Sequence, residues 1–137
     1  MAAQWLLPAL AYVILFGGLG VITKVALRHL GWPDLIVWTT AVYIVVSAVL
    51  LLSGRASLAG GSTAVGLALV AGVMAVLSLV LLYVALGYGD ASQVVPFTST
   101  YPLVALVLAW VVLGEQVTAG RAVGAVLVVA GAVLLTR

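Results

Sequence analysis

The chain has no cysteine, so neither disulfides nor thiolate metal sites arise. It has little charge. Of 137 residues, 6% are charged, five Lys or Arg against three Asp or Glu, where soluble domains carry roughly 25%. Five cations are too few for a nucleic-acid footprint. One histidine and three acids give no base, nucleophile or metal set of the kind hydrolytic or transfer chemistry needs. Neither an enzyme nor a bound metal or cofactor is therefore expected. No Lys or Arg precedes the opening apolar stretch "MAAQWLLPALAYVILFGGLG", which outruns the roughly 7–15 residue apolar core of a cleaved leader, so cleavage is not expected.

What the chain has in abundance is apolar surface. Hydrophobic residues make up 66% of it, against roughly 45–50% in ordinary domains. A chain near 150 residues buries only about 70% of the surface it would expose unfolded, so lipid has to cover the rest. A membrane-crossing helix needs about 20 mostly apolar residues, and five segments qualify: about 5–27, 34–52, 64–88, 91–113 and 118–135. Transmembrane strands would alternate apolar and polar residues over about ten positions. Runs such as "VGAVLVVAGAVLL" do not alternate. The expected fold is an all-α membrane protein of five transmembrane helices, one multi-pass unit over 1–137, located in a cell membrane of the bacterial inner-membrane type.

Orientation follows Lys and Arg in short loops. Five spans place Arg55 and Arg121 on the N-terminal side, and Lys24, Arg28 and Arg137 on the other. The bias is almost nil. Either the chain inserts both ways, so that oppositely oriented copies pair as an antiparallel homodimer, or one orientation is set by cues the count misses.

The fourth segment opens with "SQVVPFTSTYP", Ser92 to Pro102, which holds two prolines, a carboxamide and five hydroxyls. A proline inside a helix frees the carbonyl four residues back, here those of Ser92 and Thr98. Such carbonyls are tolerated in hydrocarbon where neighbouring helices, side chains or a wet cavity satisfy them. At helical spacing Gln93, Pro96 and Thr100 share a stripe with Ser92 and Ser99 beside it, while Val95, Leu103 and Leu106 form an apolar remainder. Tyr12 in the first segment, Thr39, Thr40 and Tyr43 in the second, and Ser78 and Tyr83 in the third offer further hydroxyls, and Trp38 an aromatic wall. Two readings are open. Secondary transporters place substrate near mid-membrane where interrupted helices meet, which makes Tyr12, Trp38, Tyr43, Ser78, Tyr83, Gln93, Ser99 and Thr100 candidate substrate ligands. Otherwise the hydroxyls join helices at about 0.6–2 kcal/mol each, and Trp5, Trp32 and Tyr88 are interfacial belt residues.

Charged residues in a membrane are functional candidates by default. Asp34, Asp90 and Glu115 fall at segment ends, and His29 beside Arg28 is an interfacial residue. Lys24 lies deepest, about eight residues or roughly 12 Å beyond the middle of its segment. It either snorkels to the headgroups or faces a cavity to attract an anionic group of the substrate. With no acid inside a span, no proton-coupling site is evident. The glycines at Gly17, Gly18 and Gly20, and at Gly120, Gly124 and Gly131, allow helices to approach closely. The last segment lacks a polar group near its centre and is expected to pack at a dimer interface through Gly120, Gly124 and Gly131. "GGLG" lacks the spacing and preceding strand of a nucleotide loop.

The stretch "LLYVALGYGDASQVVPFTSTYPLVALVLAWVVLGEQVTAGRAVGAVLVVAGAVLL" resembles the EamA domain of the drug/metabolite transporter superfamily. The resemblance lies in Tyr83 with Ala85 and Leu86, Ala91 after a short turn, Pro102 inside the fourth segment, the Gly114–Glu115 turn, and Gly124 and Gly131. "FGGLGVITKVAL", with Lys24, is similar to that family's opening helix. The likeness covers nearly the whole chain, through diffuse motifs. It implies half of an inverted-repeat ten-helix transporter, which must recruit a second copy or a related chain, and a metabolite or drug carrier working by alternating access with its cavity between halves. The first segment has no acid, unlike the four-span small multidrug resistance branch, which argues against proton-driven export of cationic drugs.

The leading expectation is a transporter of small polar metabolites, amino acids and related zwitterions included, in the lipid bilayer. The rivals are a flippase-like carrier of lipid-linked sugars, with Arg28 or Lys24 at a phosphate, and a non-transporting partner subunit of a membrane complex.

Overall fold

The computed structural model describes residues 6–135. Trp5 and Arg137, which entered the belt and charge arguments, lie outside the described residues, as do the first residue of the 5–27 segment and the tail after 135.

Six helical segments occur among the described residues: α1 Leu6–Ala26, α2 Trp32–Leu52, α3 Ser62–Tyr88, α4 Ala91–Thr98, α5 Tyr101–Leu113 and α6 Ala119–Leu135. Their sequences explain their limits. α2 begins after Gly31 with Pro33 in its first turn, where a missing amide hydrogen costs nothing. It ends on Gly54, whose φ of 69° few other residues accept. α5 ends on Gly114 at φ 66°, and the Glu115 amide turns back to the Ala109 carbonyl at 3.2 Å, satisfying an end carbonyl the helix leaves open. α6 starts behind Thr118, whose carbonyl takes the Ala122 amide at 3.1 Å.

α1, α2 and α3 are each long and apolar enough to cross a membrane, and so are α4 and α5 taken together as Ala91–Leu113. α6 is shorter, at 17 residues, about 26 Å of rise. Two hydroxyls of α2 find partners on their own helix. Thr39 Oγ1 donates to the carbonyls of Leu35 and Ile36, and Ser47 Oγ to that of Tyr43. In a bilayer a hydroxyl is spared the cost of isolation in this way.

The fold divides into two units, Met1–Ile22 with Tyr88–Arg137, and Thr23–Gly87. In the first, α6 packs against both α4 and α5. α1 approaches α4 so closely at Gly20 that a side chain there would collide with that of Val95. In the second, Thr23, Leu35, Tyr83 and Leu86 are buried. Most other large apolar side chains are exposed, Leu52, Ile14 and Val112 among them, the surface a lipid-facing chain presents.

Candidate functional site

The fourth apolar segment is two helices rather than one. α4 stops at Thr98 and α5 begins at Tyr101, with Ser99 and Thr100 between them about midway along Ala91–Leu113. Pro102 explains the position of the break: it has no amide to give the Thr98 carbonyl, and its ring crowds that oxygen. Pro96 lies inside α4, where it withholds the same bond from Ser92.

The hydroxyls at the break have specific partners. Thr98 Oγ1 donates to the carbonyls of Val94 and Val95 at 2.9 and 3.0 Å, Ser99 Oγ to Val95 at 2.8 Å, and Thr100 Oγ1 to Phe97 at 2.8 Å. Each hydroxyl hydrogen is used on the preceding turn, so what Ser99 and Thr100 retain for a ligand is lone pairs. They are equipped to accept from a substrate N–H or O–H. Gln93, nearly two turns earlier on α4, is exposed and carries both donor and acceptor groups.

Tyr12 is also in this unit, on α1. Its hydroxyl stands 3.4 Å from that of Tyr101, the first residue of α5, and its ring stacks on Phe16 with centroids 5.0 Å apart. Reading the sequence did not single out Tyr101. Its only local signal is a tyrosine next to proline in mid-segment.

The remaining candidates belong to the second unit. Trp38, Tyr43 and Ser78 are exposed, whereas Tyr83 is 1% exposed. Lys24 is half-buried, and its Nζ donates to the Leu86 carbonyl at 2.7 Å. Leu86 is in the last turn of α3, where carbonyls lack helical partners and the helix dipole favours a cation. That helix end is a protein partner beyond the two alternatives the sequence left open, headgroups or substrate. The candidate ligands are thus spread over two units, with Tyr12, Gln93, Ser99 and Thr100 in one and Lys24, Trp38, Tyr43, Ser78 and Tyr83 in the other.

Elsewhere in the first unit, Leu106, Val107, Trp110 and Val117 line an apolar hollow of about 340 Å³. On α6, a side chain added at Gly120, Gly124 or Gly131 would meet nothing within 4 Å, so the small-residue face is open.

The model of the EamA-like transporter family matches residues 3–137. The chain belongs to that family. An uncharacterized protein of Methanocaldococcus jannaschii is 38% identical to it over 69 residues, half of this chain and half of that one. The match thus spans about half the length of that relative, and because one stretch is half of each, the two sequences are similar in length. No solved structure matches. Membership of the EamA-like transporter family, together with four helices long and apolar enough to span, makes this a multi-pass membrane protein. It is transporter-like, as its family is.

Proposed function

We propose that this EamA-like protein moves small polar metabolites by alternating access through a cavity that two five-helix protomers enclose. The observation that carries the reading is the break at Ser99–Thr100. The hydroxyls there are satisfied on the preceding turn, but the prolines withhold amide donors in mid-segment, and irregular backbone at that depth is tolerated where protein or water meets it. The lone pairs of Ser99 and Thr100 and the Gln93 carboxamide would then meet substrate. Tyr12, Trp38, Tyr43 and Ser78 are proposed as further lining, with Lys24 as a further substrate contact and the buried Tyr83 reached only if packing around it opens. The open glycine face of α6, at Gly120, Gly124 and Gly131, supplies the proposed homodimer contact, since small residues let membrane helices pack closely. The near-even spread of Lys and Arg between loops favours an antiparallel pair.

Reconstitution of the purified chain in liposomes tests the proposal. The expected result is saturable flux of at least one small polar metabolite, lowered about tenfold or more by Gln93→Ala, a loss of about 1.4 kcal/mol. A panel of such metabolites with no flux, or flux indifferent to both Gln93→Ala and Ser99→Ala, contradicts it.

A further inference from the structure

The Tyr12–Tyr101 pair leaves a hydrogen unaccounted for. Two phenols bring two O–H hydrogens, and a contact between them uses one. At 3.4 Å the oxygens also stand wider than the roughly 2.7–2.8 Å of a good O–H···O bond, so the pair is loosely closed. Tyr12 is 48% and Tyr101 52% exposed. A phenol hydrogen left without an acceptor in hydrocarbon carries a desolvation cost with nothing to offset it. An exposed, half-satisfied pair in mid-segment is therefore matched to something polar.

The surroundings narrow what that is. Phe16, itself 40% exposed, stacks on the Tyr12 ring with planes 21° apart, which gives a flat apolar platform beside the hydroxyls. The charged groups of this unit among the described residues are Asp90, Glu115 and Arg121. Along the fourth segment Asp90 and Glu115 are 11 and 14 residues from Tyr101, roughly 16 and 21 Å at the helical rise. Arg121 is turned to the Gln116 carbonyl at 3.1 Å. An ionised carboxylate taken out of water here would have phenol donors, with the one described cation of the unit, Arg121, held at the Gln116 carbonyl, and isolated charge is far costlier to desolvate than a neutral acceptor. A carbonyl or amide suits the pair better.

We propose that Tyr12 and Tyr101, with Phe16 as platform, form a recognition subsite for an uncharged planar solute bearing a carbonyl or amide group. One phenol donates to that acceptor while the other donates to the first phenol, and the solute's ring lies against Phe16 and Tyr12, where aromatic contact adds to apolar burial. This inference rests on the transport reading for its biological meaning and narrows its substrate class, but the subsite itself is a binding claim.

Nicotinamide and nicotinate share a ring and differ as amide and carboxylate, so they serve as probes. Binding of tritiated nicotinamide to the purified full-length chain in lipid nanodiscs is expected to be saturable, with nicotinate competing about tenfold or more weakly. Tyr12→Phe and Tyr101→Phe each keep the ring and should weaken nicotinamide binding about three- to tenfold, and the double substitution should abolish saturable binding. Phe16→Leu should weaken it severalfold, and this result stands even where the double variant does not fold. The proposal is overturned by a wild-type chain that does not bind nicotinamide saturably. It is equally overturned by a folded double variant that binds like wild type, the behaviour of two phenols that only satisfy each other among acyl chains. Tyrosine-dependent binding without liposome flux of any metabolite would keep the subsite and remove the transport reading. Flux of other metabolites with no nicotinamide binding would do the reverse.

Discussion

Lys24 on α1 donates from Nζ to the carbonyl of Leu86 at 2.7 Å, tying the last turn of one helix to the last turn of another. Lys24→Met keeps the length of the stem and removes the ammonium, leaving an end carbonyl without that donor. A cost of about 1–2 kcal/mol is expected, at the lower part of the range for charge-assisted bonds because the lysine is only half-buried. Thermal unfolding in detergent measures it. Lys24→Arg should recover part of the loss. An unchanged apparent KM in Lys24→Met assigns the lysine to the tie, and a tenfold rise assigns it to substrate.

Gly20 and Val95 make the tightest approach between α1 and α4. Gly20→Ala places a methyl against the Val95 side chain, and overpacking of this kind costs about 1–3 kcal/mol. Val95→Ala in the same chain should return at least half of that. The coupling, read as a double-mutant cycle on thermal unfolding, is expected to exceed about 0.5 kcal/mol, the usual margin of additivity for independent sites.

Pro102→Ala restores an amide facing the Thr98 carbonyl. The expected outcome is a more continuous α4–α5 rod, visible as slower amide exchange across residues 99–103. Because Pro102 stands in the first turn of α5, where proline is tolerated, stability should change by less than the roughly 3 kcal/mol of an interior proline, and any liposome flux should fall severalfold as the break closes. Flux at the wild-type level in a straightened helix would mean that the interruption has no part in transport.

Ser57, in the link between α2 and α3, is exposed, and the chain has no native cysteine to compete for label. For an antiparallel pair, about half of a Ser57→Cys population in intact cells should react with an impermeant maleimide. The remainder should react only after permeabilisation. Labelling of all copies, or of none, from outside would indicate a single orientation.

Much of the helical architecture could be read in the sequence, because apolar length and the demand for internal backbone pairing leave few choices in a bilayer. The break could be anticipated too, since Pro102 withholds its bond wherever it sits. What the hydroxyls do there was less accessible. Thr98, Ser99 and Thr100 turn back on Val94, Val95 and Phe97, a local alternative to ligand binding that residue type alone does not decide. The long-range pairs were out of reach. Lys24 with Leu86 and Tyr12 with Tyr101 are 62 and 89 residues apart, and among so many apolar residues no periodicity shows which helix faces meet. Tyr83 was visible as a hydroxyl but not as a buried one, because burial depends on packing between segments.

The central claim is that the interrupted fourth segment faces water at mid-membrane. Two cysteines test it, Ser99→Cys at the break and Val104→Cys five residues on, roughly 7.5 Å along the helix and about 140° around it at 3.6 residues per turn. Both positions are exposed on the protomer. In sealed membranes, a small water-soluble thiol reagent should modify Ser99→Cys about tenfold or more faster than Val104→Cys, and a transported solute should slow the first reaction alone. Equal, slow modification of both cysteines would place the break among acyl chains and contradict the account.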